Sequence, residues 1–238
     1  MINKVSLEPA FVLHTRPYQE TSILVDFFTR SYGRLNAIAK GAKRPKSPLR
    51  SVLTPASKLS VTLTGKSDLK TLSSVEIIDH FQLNDGVSLN SVIYVNELVV
   101  KATEREDPHV AIFDDYEILL QKLSNQSSQV ELEQNLRNFE LNLLQEMGYG
   151  IDLSRDAETN DKIEKESIYE FYPDKGFAID KGTLTSQKSF FGKDIINFKK
   201  GNFEKKETRD ASKIIMRMAL DYHLGNKTLN IRKYLIKN

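Results

Sequence analysis

The hydrophobic period changes from that of strands to that of helices between residues 80 and 88. Up to His80 the pattern is that of strands. Lys58 to Thr64 alternates strictly, with Leu59, Val61 and Leu63 on one side and Ser60, Thr62 and Thr64 on the other. Gly33 to Lys40 alternates too, Leu35, Ala37 and Ala39 sharing a face. Pro9–His14, Thr21–Thr29 and Leu69–Phe81 supply three more apolar runs. Pro45, Pro48 and Pro55 keep the link between the third and fourth runs out of any central strand. Five short strands in so short a stretch fit a small closed barrel, of which the OB-fold is one form.

From Ser88 the period is helical. Leu89, Val92, Ile93, Val99 and Val100 predict one helix ending near Arg105, and Val110, Phe113, Ile118 and Leu119 a second opening after Pro108. The clearest helix runs from Ser128 to Met147 on the stripe Leu132, Leu136, Phe139, Leu143 and Met147, with Gly148 as its stop. Arg155–Glu166 reads as an exposed charged loop, residues 167–180 as a hairpin around Pro173-Asp174-Lys175, and Lys188–Lys200 as a basic segment. Thr208–Leu224 predicts a helix with Ala211, Ile215, Met218 and Tyr222 inward and Lys213 and Arg217 outward; a last helical piece is expected over Thr228–Ile236. The fold class is therefore α+β: a five-stranded OB-fold barrel at residues 1–82, then a mainly helical domain at 83–238 with a small β insertion.

Charge sharpens this picture. Residues 27–75 carry ten basic side chains and one acid, Asp68, in a chain of net charge +2. Residues 76–170 are strongly acidic and residues 171–238 basic again. Clustered Lys and Arg focus a field that phosphates neutralise, so the basic window predicts a polyanion-facing surface. Its candidates are Arg16, Arg34, Lys40, Lys43, Arg44, Lys46, Arg50, Lys66 and Lys70, with Tyr18 and Tyr32 near turns as base-stacking platforms. Phe27 and Phe28 are adjacent, so one of them must point into the barrel.

Other chemistry finds little support. Thr64-Gly65-Lys66-Ser67 ends like a phosphate-binding loop, but the position that needs the first glycine holds Ser60 and a strand follows. The four histidines are not at ligand spacing, and no cysteine is present to form a disulfide, a thiolate site or a nucleophile. The acidic clusters at 104–107 and 114–117 lack the spacing of a calcium loop and read as solvated helix ends and faces. No metal, no cofactor and no catalytic residue is expected. The first residues contain no apolar signal core and no run is long enough to span a bilayer, which predicts a cytoplasmic protein without a membrane partner.

Several stretches together resemble the bacterial RecO recombination mediators. They are Phe11-Val12-Leu13-His14-Thr15-Arg16-Pro17-Tyr18-Gln19-Glu20-Thr21-Ser22, Asp26-Phe27-Phe28-Thr29, Gly33-Arg34-Leu35 and Ala39-Lys40-Gly41-Ala42-Lys43, then Leu69-Lys70-Thr71-Leu72 with Glu76. Phe139-Glu140-Leu141, Leu143-Leu144, Gly148-Tyr149-Gly150 and Ser212-Lys213 with Arg217 continue the likeness almost to the end. The resemblance implies an N-terminal OB-fold and a helical domain, binding to single- and double-stranded DNA, strand annealing, and loading of RecA onto DNA covered by single-strand-binding protein. It also implies RecR and the acidic, apolar C-terminal tail of single-strand-binding protein as partners, RecA being reached indirectly on the nucleoid. Arg137, Lys213 and Arg217 are the expected holders of that tail, since a carboxylate end suits a cation beside an apolar groove. Many members of the family have a four-cysteine zinc site after Gly-Tyr-Gly; Ile151–Glu166 has no cysteine here. Two other classes stay open on the residues alone: an adaptor whose basic patch meets acidic partners, and a nucleic-acid enzyme that docks through its barrel.

Overall fold

The computed structural model describes residues 4–125, 128–180, 188–225 and 229. The chain forms two compact units, one built on Met1–Asn125 and the other on Gln126–Thr228. The division between barrel and helices at residue 82 thus falls inside the first unit.

The barrel strands of the first unit are β1 (Lys4–Tyr18), β2 (Ser22–Thr29), β3 (Gly33–Ala39), β4 (Ser57–Thr64) and β5 (Leu69–His80), with the short helix α1 (Leu49–Val52) between β3 and β4. They close in the order β1-β2-β3-β5-β4, every pairing antiparallel except β3 with β5. β1 is far longer than its apolar run suggests, because its first half pairs with β4 and its second with β2. Alternation carries the inward residues: Leu35 and Ala37 of β3 and Leu59, Val61 and Leu63 of β4 meet Val12, Val25 and Phe27 in the core.

Part of the outer faces of β1 and β2 is covered rather than solvated. Two helices follow the barrel, α2 (Gly86–Ala102), capped by the Asp85 side chain, and α3 (Val110–Asn125). Phe11 and Phe28 point outward and pack on Phe113 and Tyr116 of α3, with ring centroids 4.8–6.3 Å apart. Phe27 therefore fills the barrel, and neither phenylalanine is exposed. A register shift between Val12 and His14 interrupts the β1–β2 ladder, and Asn96 Nδ2 of α2 donates to the carbonyls of Val12 and Leu13 there. Buried carbonyls at a bulge need such a partner. The Tyr116 hydroxyl in turn donates to Asn96 Oδ1, which binds both helices to the strand.

In the second unit, α4 (Gln129–Glu146) buries Leu132, Leu136, Phe139 and Leu143 as the spacing predicts. Ser128 Oγ accepts from Glu131 N at its start, and Gly148, at φ +82°, follows its end. A three-stranded sheet has the order β7-β6-β8: β6 is Ile168–Tyr172, β7 is Gly176–Ile179 and β8 is Ser189–Phe191. The basic segment after residue 188 is thus β8 followed by α5 (Gly192–Lys199). The last described helix, α6 (Lys206–His223), buries Ala211 and Ile215 as expected, but with Met216, Ala219 and Leu220; Tyr222 is 57% exposed. The expected piece at 228–236 lies outside the described residues except for Leu229.

The segment read as an exposed loop is held together from inside. Asp156 is buried, its Oδ1 accepting from the backbone N–H of Glu158 and Thr159 and its Oδ2 from that of Ile179. Leu153 and Ile163 are buried with it. A carboxylate taking three backbone donors fixes this turn, and the residues present do not fit a zinc site. Among the described residues there is no group of His, Asp or Glu that could hold a metal ion.

Candidate nucleic-acid interface

The barrel register sorts the basic window into three groups. The first lies at one end of the barrel. Beyond Ala39, which pairs with Ile23, the chain leaves the sheet through two successive turns, Arg44 N donating to Gly41 O and Ser47 N to Arg44 O. Pro45 and Pro48 lack the N–H needed to rejoin a ladder. Lys43 ties this loop to the β1–β2 turn: its backbone N–H donates to Thr21 O at 2.9 Å and its Nζ to Gln19 O at 3.1 Å. Lys40, Lys43, Arg44, Lys46 and Arg50 are all exposed, as is Arg16 at the neighbouring end of β1. None of the six is in an ion pair with an acid among the described residues. Tyr18, two residues beyond Arg16, is half-buried on the same end.

The second group sits at the opposite end. Lys66 is exposed in the β4–β5 turn, and Tyr32 lies in the β2–β3 turn. Register places both beside the start of β3, since Asn36 pairs with Leu69 and Gly33 with Thr29. Tyr32 is half-buried, packed against the barrel core.

The third group is spent inside the protein. Arg34 is buried; its guanidinium donates to Thr103 O at 2.8 Å, Thr103 Oγ1 at 3.1 Å and Asp26 Oδ2 at 3.1 Å. Strand alternation does turn Arg34 outward, but the end of α2 covers that face. Burial raises the Asp26 carboxyl above its ordinary range, while Arg34, then Arg105 and His14 pull it back. Lys70 is also buried, with its Nζ donating to Ser67 O at 2.8 Å and lying 3.9 Å from Glu106. Arg34 and Lys70 therefore leave the set of phosphate contacts. Two further cations of the window, Arg30 and Lys58, are met by acids of α3: Arg30 makes a two-pronged contact with Asp114, and Lys58 pairs with Glu117. The acidic clusters read as solvated faces thus neutralise part of the barrel, and six of the ten window cations are exposed and in no ion pair among the described residues: Lys40, Lys43, Arg44, Lys46, Arg50 and Lys66.

In the second unit, Glu133 of α4 pairs with Arg209 of α6, and Tyr149, just after α4, stacks on His223 at the end of α6. The two helices therefore run side by side in the same direction. Arg137 and Lys213, each one turn further on, come level. They face differently: Lys213 and Arg217 are exposed, Arg217 lying 3.7 Å from Asp221, whereas Arg137 is turned inward to Glu140 at 2.9 Å with its Nε buried and unbonded.

No helix among the described residues is long and apolar enough to cross a membrane. Comparison with known proteins adds the family. Residues 3–81 match the family model described as Recombination protein O N terminal, and residues 83–232 the one described as Recombination protein O C terminal. The chain is 42% identical over 235 residues to a DNA repair protein RecO of Polynucleobacter asymbioticus, covering 98% of this chain and 96% of that one. It is 39% identical to the protein of the same name from Actinobacillus pleuropneumoniae serotype 5b, covering 94% and 91%, and 39% identical to that of Haemophilus influenzae PittGG, covering 98% and 96%. A closed five-stranded barrel followed by helices, matched by both family models and by these relatives along nearly the whole chain, makes this protein a member of the RecO family of DNA repair proteins.

Proposed function

We propose that this chain is a DNA repair and recombination mediator that works by binding and positioning strands, not by turnover. The barrel, residues 1–82, is its nucleic-acid-binding part and the helical part, residues 83–238, its partner-binding part. The observation that carries the reading is the group of exposed cations Arg16, Lys40, Lys43, Arg44 and Lys46 at one barrel end, none of them in an ion pair among the described residues. Such a group holds phosphates without reading sequence, because the contacts are to charge. It serves single strands and duplexes alike. Two complementary strands neutralised on one surface repel each other less, which accelerates annealing. With RecR, the protein helps RecA onto DNA covered by single-strand-binding protein, in the cytoplasm and on the nucleoid. The acidic tail of the single-strand-binding protein lies along α4 and α6, with Lys213 and Arg217 receiving it and Arg137 released from Glu140 to bind its carboxylate.

The test is annealing of two complementary oligonucleotides, one carrying a fluorophore and the other a quencher. The protein accelerates pairing at low salt, and a variant with Lys43→Ala, Arg44→Ala and Lys46→Ala loses most of the acceleration. Binding without acceleration would refute the mediator reading, and conversion of the DNA without any added protein would favour an enzyme.

A further inference from the structure

A cavity of about 500 Å³ opens in the first unit between the outer faces of β1, β2 and β3 and one side of α2. Leu13 and Leu24 from the barrel and Ile93 and Val100 from the helix give it apolar walls. Its polar lining is divided by charge. Asp26, whose Oδ1 is buried without a hydrogen-bond partner, and Glu97 contribute acceptors, and Asn36 adds an amide. Two exposed arginines, Arg16 and Arg105, also line it, and neither is in an ion pair among the described residues.

This chemistry selects its occupant. Lys101 lines the cavity beside the two arginines but is held by Glu97, as Arg34 is by Asp26, so both carboxylates keep a basic partner. A flat group with apolar faces and an N–H edge suits both the walls and the acceptors, and a cavity of this size admits one. The arginines suit anions on either side of such a group. Arg16 also continues directly into the loop cations, since Lys43 is bonded to Gln19 just past the end of β1.

We propose that this cavity takes one unstacked nucleobase of a single strand, held by its exocyclic amino group, with the flanking phosphates on Arg16 and Arg105. The proposal rests on the reading that the barrel binds DNA. It gives the interface a feature that the loop lacks: a base inside a duplex is turned inward and cannot enter, so the cavity distinguishes single strands from duplexes. It also distinguishes bases, because cytosine offers an exocyclic amino group where thymine offers a carbonyl.

The test is binding of oligo(dC) and oligo(dT) of equal length, near neutral pH and across a salt series, to the full chain. The expected result is tighter binding of oligo(dC) by about tenfold, the lower end of what one hydrogen bond to a charged acceptor supplies. Ile93→Trp, which fills the cavity from an exposed helix position, brings oligo(dC) down to the affinity of oligo(dT). Arg105→Ala weakens both and keeps the preference. Equal binding of the two by the wild type, with a steep salt dependence, overturns the cavity and leaves the loop interface standing. A preference that survives Ile93→Trp also overturns it. No binding of either at low salt overturns the DNA reading and the cavity with it.

Discussion

Arg34 separates a structural charge from a binding charge, and truncating it tests that separation. In Arg34→Ala the guanidinium is lost from a site where it is 9% exposed and where it meets Thr103 O, Thr103 Oγ1 and Asp26 Oδ2. Two of those acceptors are left unfilled at the end of α2, and the Asp26 carboxylate is left without its neutralising partner. Breaking a buried pair from one side costs about 3–5 kcal/mol. With an m-value of about 2 kcal/mol/M, the urea midpoint of the first unit falls by about 2 M, followed by far-UV circular dichroism. The loss depends on pH. Asp26 already has a raised pKa, so its charged form is the unfavourable one; the penalty is absent below its ordinary value of 3.8 and grows as pH rises through the raised one. Adding Asp26→Asn to Arg34→Ala removes the buried charge and restores part of the stability at neutral pH. DNA binding by the folded variant keeps its salt slope. A midpoint that moves by less than about 0.5 M, together with a slope flatter by about one phosphate, would show that Arg34 faces DNA and would refute the reasoning.

Gly33→Ala strains a residue at φ +67° and drives a Cβ into the backbone carbonyl of Asp107; a loss of about 3 kcal/mol is expected, with faster hydrogen exchange at residues 103–109. Phe113→Ala opens the cluster of Phe11, Phe28 and Tyr116 and costs about 3–5 kcal/mol, and limited proteolysis yields a stable fragment ending near Asn125 rather than near residue 82. The Asp114 carboxyl is held below its ordinary 3.8 chiefly by its hydrogen bond from Arg30. That pair's contribution is present above pH 3.8 and lost as pH falls through the lowered value, so Asp114→Asn should destabilise at neutral pH and converge with the wild type in acid melts.

The parts of the fold set by alternation were legible. β4 shows its period of two in burial, and α4 its stripe. What alternation cannot tell is whether the outward face meets water or another element. That is why Arg34 reads as a surface cation: the end of a helix distant in sequence covers it. For Arg34 a signal was present in Asp26, which lies on the neighbouring strand two pairs away along the register. The length of β1 was hidden because two partners share it, and Pro9 and the bulges break its pattern. On α6 the stripe Ala211, Ile215, Met218, Tyr222 drifts off the buried face, since spacings of three and four accumulate an angular error that only packing resolves, and Tyr222 ends exposed. Asp156 gave no periodic signal at all, because a carboxylate that caps a turn looks like any solvated acid. For the interface, charge counting found the window but not the pairing of Arg30 and Lys58 with α3.

The salt dependence of single-strand binding tests the central claim most directly. A labelled mixed-sequence oligonucleotide is titrated across a salt series with the wild type and with the Lys43→Ala, Arg44→Ala, Lys46→Ala variant. Three lost phosphate contacts should flatten the log–log slope by about 2, at about 0.7 per contact on a single strand. An unchanged slope would take the phosphates away from this loop and contradict the interface proposed for the barrel.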